Sequence, residues 1–317
     1  MLHFRVICPI GGGVALSALL LDQAAVHNLV LWAGVARRPD GDLIQFDVAR
    51  EAGNDIVTLL RSQSLDHRGS IAIERIDTAI SDAAAHAELQ APGDPSEAVI
   101  WEEVESRLRD DSSLSVSHVI MLTIAVAIAA IGILTDSAVL IVGAMVIGPE
   151  YGPLASIALG LHQRRRHRVA RGLRTIAVAF PIAIAITYLL SMIIDAAGQT
   201  PAAYSSGQRP LTQFISQPDI FSIVVAILAG IAGTIALTEA KAGSLVGVLV
   251  SVTTVPAAAN IAVALAHQRG SEAIGATIQL FLNLAAITIT GAITLRGHWT
   301  LTHKKTQRSC SDEHSEF

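Results

Sequence analysis

GILTDSAVLIVGAMVIGPEYGPLASIALGL, residues 132–161, decides the fold. Beyond Ser137 it is long and apolar enough to form a helix that crosses hydrocarbon, which takes about 20 residues. Its middle resists that reading. Gly148-Pro149-Glu150-Tyr151-Gly152-Pro153 places two prolines and two glycines where a helix would have to continue, and proline both removes a backbone donor and clashes with the preceding turn. The stretch therefore predicts a spanning helix broken at membrane depth. Broken backbone is tolerated there only where it lines a cavity or is covered by protein.

Five further segments are rich in Ala, Ile, Val and Leu: 118–134, 175–196, 220–238, 243–266 and 274–295, the 132–161 stretch contributing a span at 137–161. The expected fold is an α-helical polytopic bundle of six spans over residues 116–296, preceded by a small α+β domain. Charge divides the chain the same way. Residues 1–115 carry a net charge of −9 and residues 116–317 a net of +4. Only 15% of the whole chain is charged, against about 25% for soluble domains.

Orientation follows from the loops. Residues 162–174 (HQRRRHRVARGLR) hold six arginines, and with Lys241, Arg296, Lys304, Lys305 and Arg308 they place 11 basic residues on one side. The other side has Arg209 and Arg269. Basic loops mark the cytoplasm, so this is expected to be a multi-pass protein of the cell membrane with both termini cytoplasmic. The N-terminal MLHFRVICPIGGG does not read as a secretory signal, which agrees. The arginine cluster fits topology or anionic lipid better than nucleic acid.

The second span (VGAMVIGPEYGPLASIALGL) and the fifth (VGVLVSVTTVPAAANIAVALA) share an apolar run, a proline-centred interruption and a second apolar run. Pro153 and Pro256 hold similar places, each in the middle helix of three. Three helices repeated must return inverted, the 3+3 plan of many transporters, where paired breaks mark a midplane site. Glu150 is the one acid expected inside a span, and intramembrane acids are costly and functional by default. The helix dipole would favour its carboxylate at the start of the second half-helix. The candidate ligand or ion site is thus Gly148, Pro149, Glu150, Gly152 and Pro153, with Thr253, Thr254, Pro256 and Asn260 from the fifth span. Against it stand a Glu150 that only caps its half-helix and threonines bonded to their own backbone. Asn283 reads as interhelical glue.

These runs carry a resemblance. GAM-x-IGP-x-x-GP in the second span, VGVLVSVTTVPAAANIAVAL in the fifth and FLNLAAIT in the sixth are similar to the "uncharacterized hydrophobic domain" membrane proteins of bacteria and archaea, domain-of-unknown-function family 389, over about residues 100–295. Members often carry a double proline where this chain has Val255-Pro256. The resemblance implies a membrane protein and supplies no activity.

Residues 1–80 read as a ferredoxin-like βαββαβ domain. Strands are expected at 2–8, 26–35, 42–48 and 70–77, and helices at 14–24 and 51–62, with a turn at Pro39-Asp40-Gly41. Gly11-Gly12-Gly13 before the first helix reads as a turn, or as backbone able to hold an anion. Residues 81–115 form an Ala/Pro-rich linker and an amphipathic helix at 97–109 whose Ile100, Trp101, Val104 and Leu108 share a face. That face suits a membrane surface or a protein contact. Residues 297–317 form a cytoplasmic tail.

No Walker loop, HExxH, GxSxG or GxGxxG occurs, and Cys8 and Cys310 lack metal spacing. No enzyme activity, cofactor or metal is expected. The reading is a secondary transporter or channel-like carrier for a small solute or ion, regulated by its first domain and assembling as a homo-oligomer in the bilayer. The rival is a membrane-anchored sensor or scaffold.

Overall fold

The computed structural model describes residues 1–76, 101–205, 220–238 and 254–312, with isolated positions between 78 and 86. The Ala/Pro-rich linker, Thr253 and the first half of the expected fifth span lie outside the described residues. The chain divides into two compact units, Met1–Glu103 with Thr302–Phe317, and Val104–Leu301.

In the first unit the elements are β1 (Leu2–Cys8), α1 (Gly13–Leu21), β2 (Val26–Arg37), β3 (Asp40–Val48), α2 (Gly53–Ser62), the short α3 (Leu65–Arg68) and β4 (Ser70–Arg75). The strands form one antiparallel sheet in the order β2-β3-β1-β4. Strand alternation sends Leu2, Phe4, Val6 and Cys8 of β1 and Ile44, Phe46 and Val48 of β3 to one face. Leu16 and Leu20 of α1 and Ile56, Val57 and Leu60 of α2 cover that face. Phe4 and Phe46 stack with centroids 5.1 Å apart.

The glycine turn does hold an anion, and the anion is the protein's own. Gly11 N and Gly13 N each donate to Asp42 Oδ2 at 3.0 Å, and Gly34 N donates to Oδ1 at 2.8 Å. The β1–β3 register, which pairs Cys8 with Asp42, brings the carboxylate there. The Gly34 and Gly13 amides hold Asp42 below the ordinary carboxylate range. Burial, with Asp42 adding to it, pushes the Cys8 thiol up. The sign for Asp42 is that of a depressed acid: its contribution is present above the unfolded value and fades as pH falls through the lower folded one. Asp42→Ala is expected to open this turn, seen as fast amide exchange at Gly11, Gly13 and Gly34 while the Phe4 and Phe46 amides stay protected.

The second unit is helical: α4 (Trp101–Asp111, entering at Val104), α5 (Val116–Leu134), α6 (Ala138–Ile147), α7 (Tyr151–His162), α8 (Arg166–Ala196), the short α9 (Ala202–Ser205), α10 (Ile220–Thr238), α11 (Val255–Ala266) and α12 (Gly270–Asp312). Serine caps start two of them. Ser115 Oγ accepts from His118 N at 3.1 Å and Ser137 Oγ from Leu140 N at 3.4 Å. Val116–Leu134, Arg166–Ala196, Ile220–Leu237 and Gly270–Gly297 are long and apolar enough to cross a membrane. The pair α6 and α7, bent by 57°, makes a fifth crossing if counted as one span. Large apolar side chains face outward along these helices, among them Val139 (81% exposed), Phe221 (78%) and Ile220 (76%), as suits a hydrocarbon solvent rather than water.

Two boundaries differ from expectation. Helix α8 starts at Arg166, not 175, so most of the arginine loop is helix. Arginine is a good helix former, and 31 residues span about 46 Å, well beyond the roughly 30 Å of hydrocarbon. Of the fifth span, only the 12-residue α11 is described, about 18 Å long. Its residues Val255 to Ala264 are all buried. Ala-rich faces let α5 and α8 pack closely around it, which is how backbone ends at membrane depth are kept from lipid.

Helix α4 uses its apolar face within the unit: Val104 and Leu108 are buried. Glu105 accepts from Gln163 Nε2 at 2.7 Å and from Arg168, with Arg165 at 3.8 Å. Burial works against the Glu105 anion, but Gln163 and the two arginines hold its carboxyl below the usual range. Thr175 Oγ1 donates to Ser112 O at 2.9 Å.

Candidate functional site at the helix break

The interruption read in the sequence separates α6 from α7. Helix α6 ends at Ile147, Gly148 adopts extended backbone, and α7 begins at Tyr151 after Glu150. Pro153 sits in the first turn of α7 and Pro256 in the first turn of α11, where a missing N–H costs nothing because no intrahelical acceptor waits for it. The two prolines start half-helices of equal length, 12 residues each.

The residues before those helices meet. Thr254 Oγ1 donates to Glu150 Oε1 at 2.9 Å, and both residues are buried, at 0% and 1% exposure. Glu150 occupies the N-cap position of α7, yet its side chain makes no cap bond, nor does that of Thr254 on α11. The carboxylate thus lies where two helix N-termini converge, each equivalent to about half a positive charge. That offsets the cost of burying a negative charge in an apolar bundle. Gly148 makes room, since a Cβ there would strike Glu150 Oε2 and lie 3.0 Å from Val255.

From this junction the half-helices diverge. A Cβ on Gly160, near the end of α7, would lie 2.9 Å from Val169 at the start of α8. His267, just past α11, has Nε2 3.5 Å from Asp195 Oδ1 at the end of α8. Helices α7 and α11 therefore run toward opposite ends of α8. The junction is off-centre. A Cβ on Gly172 would be 2.6 Å from Pro153 O, and Gly172 is in the second turn of a 31-residue helix. The junction lies nearer the arginine end of α8 than its middle.

Behind the break lies a cavity of about 460 Å³. Its wall includes Gly148, Pro149, Tyr151 and Gly152 of the break, facing Asp110, Asp111, Ser113, Ser115, Ser117 and His118 across it. Gly152 lets α4 close the wall: a Cβ there would lie 2.8 Å from Asp111 O. Tyr151 Oη donates to Gly233 O of α10. Glu150 does not line this cavity; it turns to the other side of the broken backbone, toward α11.

Of the residues selected from sequence, Gly148, Pro149, Glu150, Gly152, Pro153, Thr254 and Pro256 cluster at one junction. Asn260, two turns along α11, is buried at 2% exposure, and its Nδ2 has no hydrogen-bond partner among the described residues. The run Asp110 to His118 was missed. A polar stretch before a span looks like any interfacial loop, and only the fold turns it toward the break.

A family described as "Domain of unknown function (DUF389)" matches residues 145–289. Residues 145–289 are similar to that family. The DUF389 match takes in the break, both half-helices and the Glu150–Thr254 bond, and starts after the Asp110–His118 run. An uncharacterized protein of Methanocaldococcus jannaschii is 22% identical over 197 residues, covering 62% of this chain and 59% of its own length. The chain thus spans about three fifths of that relative. No solved structure gives a significant match to the chain.

Proposed function

We propose that this membrane protein is a secondary carrier or channel-like protein for a small solute or ion, with the junction of α7 and α11 as its functional centre. The observation that carries the reading is the buried Glu150–Thr254 bond at two converging half-helix starts, directly behind a polar cavity. Interrupted helices expose half-helix ends able to hold ions, and a cavity beside them gives a solute somewhere to sit. The opposed directions of α7 and α11 support an inverted 3+3 arrangement of six spans. The strand order β2-β3-β1-β4 with all neighbours antiparallel supports a ferredoxin-like first domain, assigned here a cytoplasmic regulatory role. Homo-oligomerisation fits the small-residue helix faces.

The second reading, a sensor or scaffold without transport, is favoured by one observation: Glu150 is already paired. Transport assays separate the two. Purified protein in liposomes is expected to pass a member of a panel of inorganic ions and small amines above protein-free vesicles. No flux for the whole panel favours the scaffold.

The membrane orientation is tested in cells. A cysteine at Arg166, on the exposed start of α8, is expected to resist impermeant maleimide from outside, and one in the 199–217 segment to react. The reverse pattern inverts the topology.

A further inference from the structure

We infer that the cavity behind the break is a binding site for a small organic cation, an amine carrying a short apolar or hydroxylated body. The inference rests on the carrier reading only for its physiological meaning, and its test is one of binding. Three observations support it.

Asp110 and Asp111 line the cavity, and among the described residues no Lys or Arg does. Asp110 is exposed, and its carboxylate has no hydrogen-bond or ion-pair partner among the described residues. A cation entering from that side meets the Asp110 carboxylate, and an anion meets repulsion.

The second observation is a histidine on the same wall. His118 lines the same cavity, is only 7% exposed, and its ring has no hydrogen-bond partner among the described residues. A neutral imidazole is an acceptor for an ammonium N–H, and Ser113, Ser115 and Ser117 add hydroxyls that accept N–H or donate to a hydroxylated ligand.

The third is size and donor geometry. About 460 Å³ is in the range of small-molecule pockets and far more than a bare ion fills. Among the described residues, no three His, Cys, Asp or Glu side chains converge to hold a metal ion. Met121, Ala236 and Leu237 supply an apolar side to the wall. A carboxylate edge, hydroxyls and an apolar wall together recognise an amine with a few carbons.

The test uses the full chain in detergent, with methylammonium, ethanolamine and 1,4-diaminobutane as cationic probes, and acetate and glycerol as anionic and neutral controls of similar size. At least one amine is expected to raise the unfolding temperature saturably, with neither control doing so. Asp110→Asn, a surface change that leaves packing alone, is expected to weaken that binding at least tenfold, and Ser117→Trp, which fills the cavity, to abolish it. The inference is overturned if no amine binds, if acetate binds as well as the amines, or if Asp110→Asn binds them like wild type. Flux is measured separately. Amine binding without flux keeps the site and removes the carrier reading. Flux of anions or neutral solutes without amine binding does the reverse.

Discussion

Glu150→Gln is expected to abolish ion-coupled flux while the protein still folds. The substitution keeps the size of the side chain and leaves an amide oxygen to accept from Thr254, so the 2.9 Å contact and the packing around it survive. What disappears is the negative charge at a point where two helix starts bring about half a positive charge each. The junction then favours anions, and any cation or proton passing it loses its partner. Glu150→Asp keeps the charge and shortens the reach to Thr254, so partial activity is expected. Reconstituted flux together with unfolding temperature reads this out. A loss of at least tenfold in flux with a shift of only a few degrees is the expected result. Wild-type flux in Glu150→Gln would make the carboxylate structural and strengthen the scaffold reading.

Arg168→Ala carries the largest expected loss of stability. Arg168 and Glu105 are 10% and 19% exposed at their side chains. Removing one partner of a buried pair leaves the other charge with poor solvation, which costs about 3 kcal/mol or more. Gln163 still donates to Glu105 and moderates the loss. Two comparisons isolate the cause. Arg166→Ala, on an exposed neighbour, is expected within about 0.5 kcal/mol of wild type. Glu105→Gln combined with Arg168→Ala is expected to recover part of the loss, because the stranded charge is gone. The pH dependence has a definite sign. Glu105 is a depressed acid, so its contribution is present above the unfolded value, near 4.3, and is lost as pH falls through the folded one. Arg168→Ala should flatten that acid limb, as followed by unfolding in detergent between pH 3 and 7.

Much of this architecture is local and was legible in the residues. Two-residue alternation marked the strands at 42–48 and 70–77. The Gly/Pro run at 148–153 announced a break that the structure realises as a 57° bend. The residues just before α7 and α11, Glu150 and Thr254, are joined by a hydrogen bond. What escaped the reading depends on contacts distant in sequence. Glycines 11 and 13 look open to any anion until the β1–β3 register brings Asp42 to them, about 30 residues on. The arginines at 164–174 read as a loop because charge marks the edge of a membrane. Arginine also propagates helix, and the helix continues past that edge. Asp110 to His118 carried no motif at all, since its importance lies in lining one cavity together with Gly148 and Gly152. Only tertiary contact sets Pro153 beside Gly172, near the start of α8.

A small solute is expected to pass the break between α6 and α7. The most direct measurement is uptake of the amine and ion panel into proteoliposomes, comparing wild type with Ser117→Trp, whose indole is placed to block the cavity from an exposed position. Saturable uptake of at least one panel member is expected for wild type, and protein-free background for a Ser117→Trp protein that unfolds at the wild-type temperature. Uptake by Ser117→Trp equal to wild type, or background uptake by both, would contradict it.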